Sequence, residues 1–153
     1  MRQVPAVLAL VLAWAAAEAV ARDAAAADLL PYAVRGDAVP DPLGGLAGDP
    51  ERGRAVVLDR GRGNCLICHA VPIDGEPFQG VLGPGLAGVG DRLRPGQIRL
   101  RLIDQARLDP DTVMPPYYRV EGLVDVAPEY RGRPALQAQE IEDVVAYLSS
   151  LRD

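Results

Sequence analysis

Apolar residues recur at helical spacing most clearly near the end of the chain. From Gln139 to Leu151, Ile141, Val144, Val145, Leu148 and Leu151 fall on one face, while Glu140, Glu142 and Asp143 put negative charge near the first turn, where the helix dipole favours it. The segment from Gln97 to Gln105 reads two ways. Ile98, Leu100 and Leu102 alternate with Arg99 and Arg101 as in a strand, yet Ile98, Leu102 and Ile103 also share a helix face; Pro95-Gly96 before it and the helical surroundings select a helix. A third helix is signalled by its start. Asp49 is a good N-cap, Pro50 suits the first turn, and the helix is expected to run to about Asp59. Gly53 inside it costs about 1 kcal/mol relative to alanine, which a close packing contact would explain. The stripe of the terminal helix is the expected partner, with Tyr147 against Gly53.

Between these helices no period holds. Residues 28–48 carry Pro40, Pro42, Gly44, Gly45 and Gly48, the composition of an extended arm. Scattered apolar residues within it (Leu30, Tyr32, Val34, Val39, Leu43, Leu46) suggest a wrapping segment that orders on a partner. Gly83-Pro84-Gly85-Leu86-Ala87-Gly88-Val89-Gly90 is expected to be irregular and to let backbone approach a cofactor closely; no Lys-Ser/Thr follows it and no βαβ unit surrounds it, so it does not read as a phosphate cradle. At the start, Arg2 precedes an apolar run from Val4 to Ala17 and then small residues, the layout of an export signal cleaved after Ala21 or Ala27. The run falls short of the roughly 20 apolar residues that span a bilayer, so no membrane insertion is expected. The expected organisation is a signal over residues 1–27, an arm over 28–48 and one domain over 49–153.

With 153 residues and 49% hydrophobic content the chain can bury a single core. Aromatic residues make up 5%, and the one tryptophan, Trp14, lies in the export signal. A net charge of −5 argues against nucleic acid as a partner.

The chemistry converges on Cys65-Leu66-Ile67-Cys68-His69. Two thiols three residues apart can add to the two vinyl groups of one porphyrin, and the histidine that follows is then placed as an axial ligand of the iron. These are the only cysteines and the only histidine of the sequence. A zinc site would need a fourth ligand from elsewhere, and a thioredoxin-like redox pair would want a βαβ surround that the flanks do not suggest. Attachment of this kind takes place outside the cytoplasm, in agreement with the export signal. Met114, in the proline-stiffened stretch from Asp109 to Tyr118, would ordinarily be core filler. Beside a haem it is instead the strongest remaining protein ligand for the second axial position, since no other histidine or cysteine remains.

Taken in order, a helix, C-x-x-C-H, Gly-Pro, a methionine in a Pro-rich loop and a terminal amphipathic helix resemble class I cytochromes c. More narrowly the chain resembles the SoxX family, the small monohaem subunits of the SoxAX cytochromes of sulfur oxidation. The resemblance rests on Gly36-Asp37-Ala38-Val39-Pro40, Gly63-Asn64, Gly83-Pro84 through Gly90, Asp111-Thr112-Val113-Met114-Pro115-Pro116-Tyr117-Tyr118, Tyr130-Arg131-Gly132, and Ala138 through Leu148. It implies an all-α fold around one covalent haem c. Cys65 and Cys68 would carry the thioether bonds, with His69 as proximal and Met114 as distal ligand of the iron. Pro84 would offer its carbonyl to the free ring nitrogen of His69. Where the family has a Thr that boxes with the Glu at position 140, this chain has Gln137, a poorer cap.

The resemblance also implies a task. A SoxA-like c-type cytochrome would be the partner, joining thiosulfate oxidatively to a cysteine of the carrier complex SoxYZ, with this chain as electron-transfer subunit of a heterodimeric L-cysteine S-thiosulfotransferase. No catalytic residue is expected on this chain. Electrons would leave to a small cytochrome c acceptor, and the setting is periplasmic. The arm and the Tyr117-Tyr118 loop are the expected partner surface, and tyrosines or arginines such as Arg99 and Arg101 are the candidates for the haem propionates. Two other readings predict different behaviour: an independent periplasmic cytochrome c shuttle would purify alone, and a peroxidase-like enzyme would open its iron to exogenous ligands.

Overall fold

The computed structural model of the chain describes residues 29–152, so the expected export signal over residues 1–27 lies outside the described residues. The regular elements are α1 (Pro50–Leu58), α2 (Val89–Arg92), α3 (Pro95–Asp104) and α4 (Ala138–Ser150), with single 3-10 turns at Leu43–Gly45, Cys65–Ile67, Gln105–Arg107 and Pro128–Tyr130. Among the described residues there is no strand; Arg35 and Ala38 make one isolated bridge. Two units divide the described chain, one comprising residues 30–119 and 134–152, the other containing residues 120–133.

In the larger unit α4 is the hub, packed by α1, α3 and α2. Asp49 caps α1, its Oδ1 accepting the Arg52 N–H at 2.9 Å. The expected contact at Gly53 is present. A Cβ there would lie 1.9 Å from the Asp143 carbonyl oxygen and 2.9 Å from the Tyr147 Cβ, so only glycine permits this approach of α1 to α4. The joint is tied by charge as well: the Arg52 guanidinium donates to both oxygens of the Asp143 carboxylate at 2.8 Å. At the start of α4 the Gln137 N–H donates to Glu140 Oε2 at 2.7 Å, so the carboxylate contributes to the capping despite the missing threonine.

The helix reading of 97–105 holds, as α3. Its ambiguous period has a cause, for Arg99 is buried among the apolar residues on both sides of it. Its Nε and Nη2 donate to Glu142 of α4 at 2.8 and 2.7 Å, and Nη1 donates to the Val39 carbonyl at 2.7 Å. Arg99 is thus committed to this pair and is not the propionate partner expected from the sequence. Arg101 donates to the Gln97 carbonyl of its own helix at 2.9 Å.

The same pair seats the arm. Val39 and Leu43 are each 1% exposed; the Val39 N–H donates to the Gly96 carbonyl at 2.9 Å and the Leu43 N–H to Glu142 Oε1 at 2.9 Å. Of the apolar residues that suggested a partner for this segment, Val39 and Leu43 are buried by the chain's own α3 and α4, while Val34 stays exposed. The glycine-rich run also departs from expectation, because its end folds as α2. There Gly90 abuts the terminal helix, an added Cβ meeting the Ser149 carbonyl oxygen at 2.3 Å.

Residues 120–133 form a run of turns. Gly122, Asp125 and Gly132 take positive φ, and Arg131 Nε donates to the Val126 carbonyl at 3.2 Å.

Candidate functional site

The site begins where α1 ends. Gly63 is buried, and a Cβ on it would stand 2.6 Å from the Val56 carbonyl oxygen of α1. Asn64 follows at φ +48°, a left-handed conformation that asparagine tolerates better than most residues. This tight turn delivers Cys65–Ile67 as one 3-10 turn, closed by Cys68 N–H and His69 N–H on the Cys65 carbonyl at 3.1 and 2.9 Å. Leu66 points into the core, while Cys65 and Cys68 are half-buried and unbridged. Residues 80–83 lie alongside, Gly80 N–H on the Leu66 carbonyl at 2.7 Å and Gly83 N–H on the Cys68 carbonyl at 2.8 Å.

Against this frame the imidazole of His69 is fixed on two sides. Its Nδ1 is 2.8 Å from the Pro84 carbonyl oxygen; since a carbonyl only accepts, Nδ1 carries the proton and Nε2 is left as the basic nitrogen. Gly83 lies against the ring, where a Cβ would meet Cε1 at 2.3 Å. Burial pushes the Cys65 thiol up to about 11, countered in part by its hydrogen bond with Tyr117, so it is held as a thiol rather than a thiolate nucleophile.

Met114 sits half-buried in a loop with its own framework. Its N–H donates to Thr112 Oγ1 at 3.2 Å, and the Thr112 N–H donates to the Asp109 carbonyl at 3.1 Å. After Pro115 and Pro116 the chain is pinned to α3 by the Tyr117 N–H on the Leu102 carbonyl at 3.0 Å. Tyr117 and Tyr118, expected as an exposed partner surface, are 8% and 1% exposed. The Tyr117 hydroxyl donates to the Gly63 carbonyl at 2.6 Å, and the Tyr118 hydroxyl accepts the Leu30 N–H at 2.7 Å. Both are therefore internal ties. The link between Tyr117 and the Cys65 turn was not read from the sequence, and the only signal for it was a tyrosine closing a proline-stiffened loop.

These side chains suit a covalent haem. Two unbridged thiols, an imidazole with one nitrogen already engaged, and a thioether are the donor types such a group takes. The apolar side chains of Ile67, Val81, Leu82 and Val113, all largely exposed, lie on the same segments and would suit a flat apolar macrocycle. No group of three or more His, Cys, Asp and Glu is arranged among the described residues to hold a bare metal ion. Nor is any described helix long and apolar enough to cross a membrane.

The cytochrome c family profile matches residues 50–152. A chain of the crystal structure of SoxXA from P. pantotrophus superimposes with a TM-score of 0.74 at 33% identity, covering 80% of this chain and 95% of that one. Among curated proteins no match is found. With the matched profile spanning most of its length and this likeness to a SoxXA chain, the protein belongs to the cytochrome c family, electron-transfer proteins of the all-helical class I fold that carry covalently bound haem c.

Proposed function

We propose that this chain is the electron-accepting subunit of a SoxXA-type complex, paired with a SoxA-like c-type cytochrome in the periplasm. The observation that carries this reading is the likeness to a SoxXA chain over 95% of its length. Cys65 and Cys68 hold one haem c through thioether bonds, His69 Nε2 and the Met114 thioether ligate its iron, and Pro84 keeps the imidazole in the required tautomer through Nδ1. Residues 1–27 direct export and are removed, leaving the arm and the domain from residue 49.

The bound group supplies a one-electron store whose potential a thioether opposite imidazole raises. The chemistry it serves is oxidative. A carrier-protein thiolate and thiosulfate join through a new sulfur–sulfur bond, RS⁻ + S₂O₃²⁻ giving RS–SSO₃⁻ with two electrons released. This chain takes those electrons one at a time and passes them to a small cytochrome c, so no bond to substrate forms on it. His69 and Met114 would hold the iron and so leave it closed to substrate, and the conjugation to the SoxYZ cysteine belongs to the partner subunit.

The test is co-purification of the tagged chain from its own host grown on thiosulfate, followed by size exclusion in moderate salt. The expected outcome is a one-to-one complex with a second haem c protein, in which thiosulfate plus the carrier protein reduces this chain's haem. A lone haem protein indifferent to thiosulfate would instead assign it to the independent shuttles.

A further inference from the structure

Tyr117 occupies a place that its neighbours explain. Two residues separate it from Met114 and both are prolines, so the backbone between has little freedom to absorb a displacement. At its own position it is held at three points: its N–H on the Leu102 carbonyl, its carbonyl by the Leu136 N–H at 3.0 Å, and its hydroxyl on the Gly63 carbonyl at 2.6 Å. Gly63 is two residues before Cys65. One buried side chain therefore joins the turn carrying Cys65, Cys68 and His69 to the loop carrying Met114.

We infer that Tyr117 is a positioning residue for the iron: its hydroxyl straps the Met114 loop to the Cys65 turn and so keeps the thioether in place opposite the imidazole. The inference rests on the ligation by Met114 proposed above. Without the hydroxyl, the Gly63 carbonyl loses its partner in a buried setting and the loop loses its tie to the turn, so the population with the thioether displaced rises. The backbone bonds of Tyr117 to Leu102 and Leu136 survive the substitution, which confines the effect to the link itself.

The experiment uses the holoprotein and three variants, Tyr117→Phe, Tyr118→Phe and Met114→Ala, each assayed for ferric cyanide affinity, reduction potential and thermal midpoint. Tyr117→Phe is expected to bind cyanide about tenfold more tightly than the parent and to have a lower potential, the change set by the loss of one buried hydrogen bond. Tyr118→Phe removes the part-buried hydroxyl of the next residue, which is bonded to the Leu30 N–H instead; it is expected to lower the thermal midpoint and leave cyanide affinity and potential at the parent values. If Tyr117→Phe matches the parent in both readouts, or if both tyrosine variants shift them alike, the strap is overturned and Tyr117 is only structural. Met114→Ala separates the two readings, since an unchanged potential and spectrum there would overturn the ligation instead. Should Tyr117→Phe yield no holoprotein, proton NMR of the reduced parent decides: a slowly exchanging Tyr117 hydroxyl with cross-peaks to Gly63 and Cys65 supports the strap, and a freely exchanging one overturns it.

Discussion

Gly83 has no side chain because the His69 ring fills the space one would take. A methyl there would meet Cε1 at 2.3 Å and Nδ1 at 2.7 Å, and the ring has nowhere to retreat while Nδ1 is bonded to the Pro84 carbonyl. Gly83→Ala is therefore expected to destabilise the holoprotein by about 1–3 kcal/mol in thermal unfolding, with a shift in potential as the imidazole turns. Gly85→Ala, two residues on, adds a methyl with nothing within 4 Å and is the matched control. At this scale the sequence was legible wherever chemistry is rare: two cysteines, one histidine and one methionine in a proline-rich loop could be singled out without a structure. It was not legible where a residue's role lies in a distant backbone atom. Tyr117 and Tyr118 look like exposed loop aromatics until the carbonyl of Gly63 and the N–H of Leu30 come into reach. Arg99 looked available for an anion because the apolar residues beside it do not reveal a buried carboxylate on another helix.

The α1–α4 joint shows what an element gains from combining shape with charge. Gly53 brings the helices together and Arg52 closes on Asp143. Burial alone would raise the Asp143 carboxyl, but the hydrogen bonds from Arg52, the Asp49 N–H and Gln139 outweigh it and hold the group below its ordinary value of 3.8. A carboxyl lowered on folding adds stability that is present above its unfolded value and is lost as pH falls through the folded one. The thermal midpoint should consequently drop as pH is taken below 3.8, and Asp143→Asn, less stable at neutral pH, should show a shallower drop over that range. A pH-independent difference between the two proteins would assign the joint to packing alone. Of the elements, α4 was readable end to end because its apolar stripe faces one core. The short α2 was hidden, since a glycine that serves close helix contact and a glycine that serves a loop look the same in a sequence.

For the whole molecule the question is what completes the core. The helices bury Leu66, Leu100, Ile103, Leu136, Ile141 and Val144, yet the segments bearing the thiols and the thioether keep Ile67, Val81, Leu82 and Val113 on the outside. A double variant, Cys65→Ala with Cys68→Ala, exported in the same host, is expected to lose the cooperative thermal transition of the holoprotein and to bind a hydrophobic dye. A cooperative melt at the parent temperature would place the stability in the helices alone. The arm carries a further consequence. Val39 closes on Arg99 of α3, while Leu43 closes on Glu142 and Gly53 on Asp143, so the arm and α1 both dock on the late helix α4. A polypeptide made from its N-terminus has neither arm nor first helix in place until its last helix has emerged. For an exported chain that interval lasts until α4 has crossed the membrane, and Cys65, Cys68 and His69 are expected to stay accessible to the attachment machinery until α4 docks.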